Sequence, residues 1–177
     1  MKFVKLTLLL LIMLNLVGCV SSGSIHEASP ITATKPFDLD LIFVKTTSSS
    51  SDLEAEKQML NDEIVSGLRD THLFNAASGI RADLGSGSGI TITADVVKIK
   101  KISKNKRLWA GALAGRARIR VQVTVSDLNS GQPIETFEAD GQSSGGSSLA
   151  GTTDEAIERA ADIVVGEVLK IYAQTAE

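Results

Sequence analysis

Between residues 116 and 126 apolar and polar side chains alternate without a break. Ala117, Ile119, Val121, Val123 and Val125 are apolar; Arg116, Arg118, Arg120, Gln122 and Thr124 are not. A period of two sends the two sets to opposite faces of a β-strand, the apolar set onto a core. Asn129, Ser130 and Gly131 are turn formers, so the strand is expected to return antiparallel over 132–142. That return brings Phe137 and Ala139 to the same buried face. Alternation over 37–46, with Phe37, Leu39, Leu41 and Phe43 on one face, predicts another strand. So does 90–102, with Ile90, Ile92, Ala94 and Val96 on one face. Residues 72–77 suit a short edge strand, and the Gly/Ser run 85–89 a turn.

Two segments switch to a helical period. Over 52–70, Leu53, Leu60, Ile64 and Leu68 form one stripe, preceded by Ser51 and Glu54 at capping-box spacing. Over 153–173 the stripe is Ile157, Ala160, Ala161, Val164, Val168 and Tyr172, with Thr152 and Glu155 as a second box. Its alanines suit close packing on a sheet. Two helices with one apolar stripe each can cover one sheet face. The predicted fold is α+β: a two-layer sandwich, mostly antiparallel, of four to five strands with two helices on one face, in the order strand–helix–strands–helix.

The first residues belong to a different pattern. Lys2 and Lys5 precede a mostly apolar run over 6–16, and Leu16-Val17-Gly18 then leads to Cys19, the only cysteine. A basic start, a short apolar run and a small-residue site make a secretory signal over 1–18, too short to span a bilayer. Leu-Val-Gly-Cys resembles the bacterial lipobox, which implies that Cys19 carries lipid as the new N-terminus. Val20 follows it rather than aspartate, so the expected location is the periplasmic face of an outer membrane. Residues 19–36 are small, polar and broken by Pro30 and Pro36. They read as a flexible tether spanning roughly 20–25 Å, with a single domain over 37–177.

Composition removes several chemistries. Only 4% of residues are aromatic, too few for carbohydrate or base-stacking platforms. One cysteine excludes an internal disulfide, and two separated histidines with no second thiol make no typical zinc site. Gly141-Gln142-Ser143-Ser144-Gly145 has the Gly-x-Ser-x-Gly spacing of a nucleophile elbow. No histidine follows it, however, and more loop residues come next. No P-loop or dinucleotide fingerprint is present. No enzyme, cofactor, metal or nucleic-acid partner is expected; a hydrolase is the remote alternative. Gly151, Thr152 and Thr153 open the last helix, where unpaired N–H groups form a weak candidate anion site.

Charge is distributed more tellingly. Nine of the 18 basic residues and none of the 21 acidic ones fall between Asp95 and Asp127. Within that segment Lys104, Lys106 and Arg107 flank an apolar tip containing Trp109 and Leu113. A tryptophan tip with a basic collar suits a membrane interface or a partner groove, and these five residues are the candidate contact. The bland alternative folds the tip onto the sheet and pairs the arginines with Glu138 and Asp140.

Residues 108–131, the Gly-Gly-Ser loop over 145–147 and the final Asp-Glu-Ala-Ile-Glu-Arg-Ala-Ala-Asp helix resemble bacterial lipoproteins grouped as domain of unknown function 4410. The resemblance spans roughly 37–175 and implies no catalytic residues. The element order is also similar to small periplasmic domains of assembly and secretion lipoproteins, by fold-level analogy. The leading expectation is a lipid-anchored, non-enzymatic module that binds an envelope protein in assembly, maintenance or secretion. The alternative is a module that binds lipopolysaccharide or anionic lipid through the basic segment 98–120.

Overall fold

The computed structural model of the chain describes residues 22–26, 40–103, 105, 109, 115–145 and 151–175. Among the described residues six strands and two long helices follow one another: β1 (Ser22–His26), β2 (Leu41–Ser48), α1 (Glu54–Asp70), β3 (Ala76–Ser78), β4 (Gly89–Lys100), β5 (Arg118–Asp127), β6 (Pro133–Gln142) and α2 (Thr153–Thr175). They form one sheet in the order β1-β6-β5-β4-β2-β3. β2 runs parallel to β3 and to β4, and the remaining pairs are antiparallel. Parallel neighbours need a crossover, which α1 provides between β2 and β4. α1 lies over β2 and β3, α2 over β5, β6 and β1, and the helices pack against each other. One core fills the space between the layers. The α+β sandwich is therefore as the pattern predicts.

The β5–β6 hairpin has the expected register. Val121 pairs with Ala139 and Val123 with Phe137, and all four are at most 1% exposed. Asp127 closes the turn by accepting N–H bonds from Ser130 (2.6 Å) and Asn129 (3.2 Å). Leu53, Leu60, Ile64 and Leu68 are buried as their stripe requires. In α2, Ile157, Ala160, Ala161, Val164 and Val168 are buried too. Tyr172 is half-buried at their end, edge-on to Phe74 with ring centroids 5.6 Å apart.

Three details differ from the pattern, and one expected stretch lies outside the described residues. The sheet has six strands, because Ser22–His26, inside the segment read as a tether, pairs antiparallel with β6. Edge pairing needs only backbone groups and so leaves no apolar alternation to read. In β2 the fully buried residues are Ile42 and Val44, while Phe43 is half-exposed, opposite to the expected parity. Four consecutive apolar residues, Leu41 to Val44, satisfy either register. Ser51 forms no cap: Ser51–Leu53 is a 3-10 turn without a side-chain cap, and Glu54 instead pairs with Lys57 at 2.6 Å. Finally, Phe37, Asp38 and Leu39 lie outside the described residues, so β2 is described from Leu41.

α2 rests almost on bare backbone. Gly23 and Gly141 are register partners on its side of the sheet. A Cβ on Gly141 would overlap the Ala156 carbonyl oxygen and lie 2.7 Å from the Ala160 nitrogen. One on Gly23 would overlap the Ile163 side chain. Small residues on both layers are what allow this approach, and Ala156 and Ala160 are fully buried by it.

Candidate functional site

The face opposite the helices is open, and one end of it is cationic. The cause is a register slip in β4. Val96 pairs with Val121, but Lys98, not Val97, pairs with Arg120. The extra residue is Val97, which is half-exposed at 53%. Without the slip, Lys98 and Lys100 would share the parity of buried Val96 and point under the helices. A β-bulge reverses that parity. Lys98 and Lys100 thus join Arg120 and Arg118 on the open face, in the pairs Lys98–Arg120 and Lys100–Arg118. With Arg116 they border a groove of about 470 Å³, closed on its β6 side by Asp140 and Gln142.

These cations are not equivalent. Arg120 is engaged: its Nε and Nη2 donate to the two Asp140 oxygens at 3.0 and 2.9 Å, and Glu138 lies 3.2 Å away. Arg118 donates to the neutral Gln142 Oε1 at 3.1 Å. Lys101 turns the other way and pairs with Glu56 at 2.9 Å. Lys98, Lys100 and Arg116 have no carboxylate partner among the described residues. The cross-hairpin pairing of the bland alternative therefore holds for Arg120 and not for Arg116 or Arg118. An array of unneutralised cations on a solvated surface attracts anionic groups and is screened by salt.

The nominated residues fall on different ground. Cys19, Lys104, Lys106, Arg107 and Leu113 lie outside the described residues. Trp109 is described and is 91% exposed. Ahead of it in the chain, the Ile102 N–H donates to Thr153 Oγ1 at 2.8 Å. At Gly151 and Thr153 the backbone donors already have partners, and Thr152 acts as an acceptor. Glu155 accepts from the N–H groups of Gly151 (2.6 Å) and Ser144 (2.9 Å). Its own N–H donates to Thr152 Oγ1 at 3.4 Å, and the Thr153 N–H donates to the Ile102 carbonyl at 3.3 Å. The Glu155 carboxylate itself occupies the helix N-terminus. Burial alone would raise its pKa, but the bonds from Ser144 and Gly151, with Arg159 nearby, hold it below the usual value.

Ser143, the centre of the Gly-x-Ser-x-Gly spacing, is fully buried. Its N–H donates to the Ala117 carbonyl (3.1 Å), and its Oγ accepts from the Ala117 N–H (2.9 Å). Ser143 extends the β5–β6 ladder by one more rung. The groove's cations lie within the basic segment 98–120 of the anionic-lipid alternative, but Lys98, Lys100, Arg116 and Arg118 are not among the five candidate contact residues. A readable signal for them exists: the apolar parity runs even through Ile90, Ile92, Ala94 and Val96, then odd at Val97 and Ile99.

Fold and face together define a two-layer α+β domain with a helix-covered side and an open, cationic sheet end. The chain belongs to the family described as domain of unknown function (DUF4410), whose model matches residues 21–147. The match takes in β1 and ends before α2. Among solved structures the chain is similar to the PelC dodecamer from Paraburkholderia phytofirmans. A single-substitution variant of it aligns at 14% identity and TM-score 0.51, over 80% of this chain and 96% of that one. Protein XCC0632 from Xanthomonas campestris, of family-model DUF330, aligns at 14% identity and TM-score 0.49, over 85% of this chain and 94% of that one. A search of curated proteins finds no match.

Proposed function

We propose that this chain is a lipid-anchored protein of the outer membrane's periplasmic face, acting as a non-enzymatic module that binds anionic groups in the cell envelope. One observation carries the binding half: the bulge at Val97 brings Lys98 and Lys100 beside Arg116 and Arg118 around an open groove, and none of the four has a carboxylate partner among the described residues. The sequence over 1–19 carries the anchoring half. An apolar protein groove, the expectation for a protein partner, has less support, since the open face is polar along β5.

Each basic side chain near an anionic surface contributes about 1 kcal/mol. Reversing Lys100 and Arg118 to glutamate should therefore weaken binding about thirtyfold or more. The assay is sedimentation of Cys19→Ser chain with phosphatidylglycerol vesicles or lipopolysaccharide, so that no acyl chain masks the contact. Binding should also fall steeply between about 50 and 200 mM salt. Salt-independent binding that survives both reversals would refute the reading. Anchoring is tested separately: Cys19→Ser should release the chain from membranes or leave it uncleaved.

A further inference from the structure

We infer that β1 is a docked spacer that holds the cationic sheet end against the membrane bearing the chain's own lipid, so that the anionic groups it meets are that membrane's headgroups. The inference rests on the lipoprotein reading above and adds orientation and source to it.

The register supplies the geometry. Ser22 pairs with Gln142, Gln142 with Arg118, and Arg118 with Lys100, so one row crosses four strands. Neighbouring strands lie about 4.8 Å apart, which puts the Arg118 and Lys100 backbones about 10 and 14 Å from Ser22. Cys19 is three residues before Ser22, a span of at most about 11 Å. An acyl chain on Cys19 therefore enters its bilayer within one short step of the cationic row. A free tether over 19–36 would have let the domain roam instead.

The strand is seated specifically. Five register pairs tie it to β6. Gly23 lies close beneath α2, where a Cβ would meet the outer carbons of Ile163 and touch the Arg159 carbonyl at 3.6 Å. In the chain Trp109 falls between Lys100 and Arg116, which both border the groove, and it is 91% exposed. Indole combines an apolar ring with an N–H donor and favours the headgroup level of bilayers. Asp127 and buried Glu135 lie at the far end of the sheet, away from that surface.

Trp109 is the only tryptophan, so its fluorescence reports one position. The experiment reconstitutes the full acylated chain in vesicles of phosphatidylethanolamine with phosphatidylglycerol containing shallow brominated lipids. Trp109 should shift to the blue and be quenched at least twofold. In neutral phosphatidylcholine vesicles, where the acyl chains still insert, quenching should fall by half or more. Inserting about twelve Gly/Ser residues between Val20 and Ser21 frees the anchor without touching the fold, and should lower quenching similarly. Unquenched Trp109 in the anchored wild type, or quenching indifferent to the insertion, would overturn the inference. So would Lys100→Glu/Arg118→Glu that weakens binding of soluble polyphosphate but leaves quenching intact, since the face would then serve a free anion. A mass spectrum showing no acyl group on Cys19 defeats the lipoprotein reading itself, and is read before any vesicle is made.

Discussion

Glu135 is the worst-placed carboxyl group in the described fold, and its replacement should stabilise the protein in a pH-dependent way. It pairs with Val125 on the core side of β6 and is 6% exposed. Its Oε2 is buried with no hydrogen-bond partner. Burial raises its pKa, the charge of Glu167 raises it further, and Lys170 offsets part of the effect. The sign follows from linkage. With the folded pKa above the unfolded one, the native state keeps a proton that the unfolded chain has released. Stability then falls as pH rises from the ordinary glutamate value through the folded pKa, and stays at the lower level above it. An orphaned buried polar atom costs about 1–3 kcal/mol. Methionine has nearly the same shape and no charge, so Glu135→Met should recover an amount of that order at pH 7. For a domain of this size that corresponds to roughly 2–10 °C in Tm. Glu135→Gln should recover less, because an amide still leaves polar atoms buried. Calorimetry at pH 4 and pH 7 is the assay, read as mutant minus wild type so that other carboxylates cancel. The gain should shrink at pH 4. A gain equal at both pH values, or a loss at pH 7, would show that the carboxyl is not ionised at a cost. Binding to anionic vesicles should not change, because Glu135 sits at the end remote from the groove.

Val121→Asp, fully buried between Val96 and Ala139, should cost several kcal/mol by placing an unpaired carboxylate in the core; a wild-type melting curve would mean the sheet face is wrong. Trp109→Ala should change Tm by no more than about a degree or two, since a side chain 91% exposed contributes little burial; a loss of the 3–5 kcal/mol typical of core aromatics would place it inside. Glu155→Gln should destabilise the β6–α2 junction at neutral pH by about 1–2 kcal/mol. Its folded pKa is lowered, so that stabilisation is present above the ordinary glutamate value and lost as pH falls through the folded one; acid melts of mutant and wild type should converge. Deleting Val97 should leave the fold and vesicle binding nearly intact, because it removes the unpaired residue and keeps Lys98 opposite Arg120; unfolding would mean that β4 pairs without a bulge.

What was legible in the chain follows from where the physics is local. β5 and β6 could be read because every second residue reports its face, and a one-residue slip would have exposed the whole apolar set. α1 and α2 could be read because their stripes repeat over several turns. β1 could not: Ser24 and Ile25 are exposed, and the strand's pairing uses backbone groups that every sequence possesses. The one mark it leaves is Gly23, whose missing Cβ acquires meaning only against Ile163 of α2.

The cationic site shows the same division. Composition marks the basic segment, and its apolar tip points to Lys104, Lys106, Arg107, Trp109 and Leu113. The groove depends instead on Val96-Val97-Lys98-Ile99-Lys100 lying beside Arg118-Ile119-Arg120 in one ladder. In an unbroken strand Lys98 and Lys100 inherit the parity of Val96 and lie under the helices, each losing its water at a cost of several kcal/mol. A bulge leaves one residue unpaired, and Val97 bears that with half its surface in solvent. The smaller cost wins, Ile99 faces Ile119, and the lysines come out beside the arginines. Two consecutive valines followed by Lys-Ile-Lys therefore encode both the break in the ladder and the charge of the face, once the strand beside them is known.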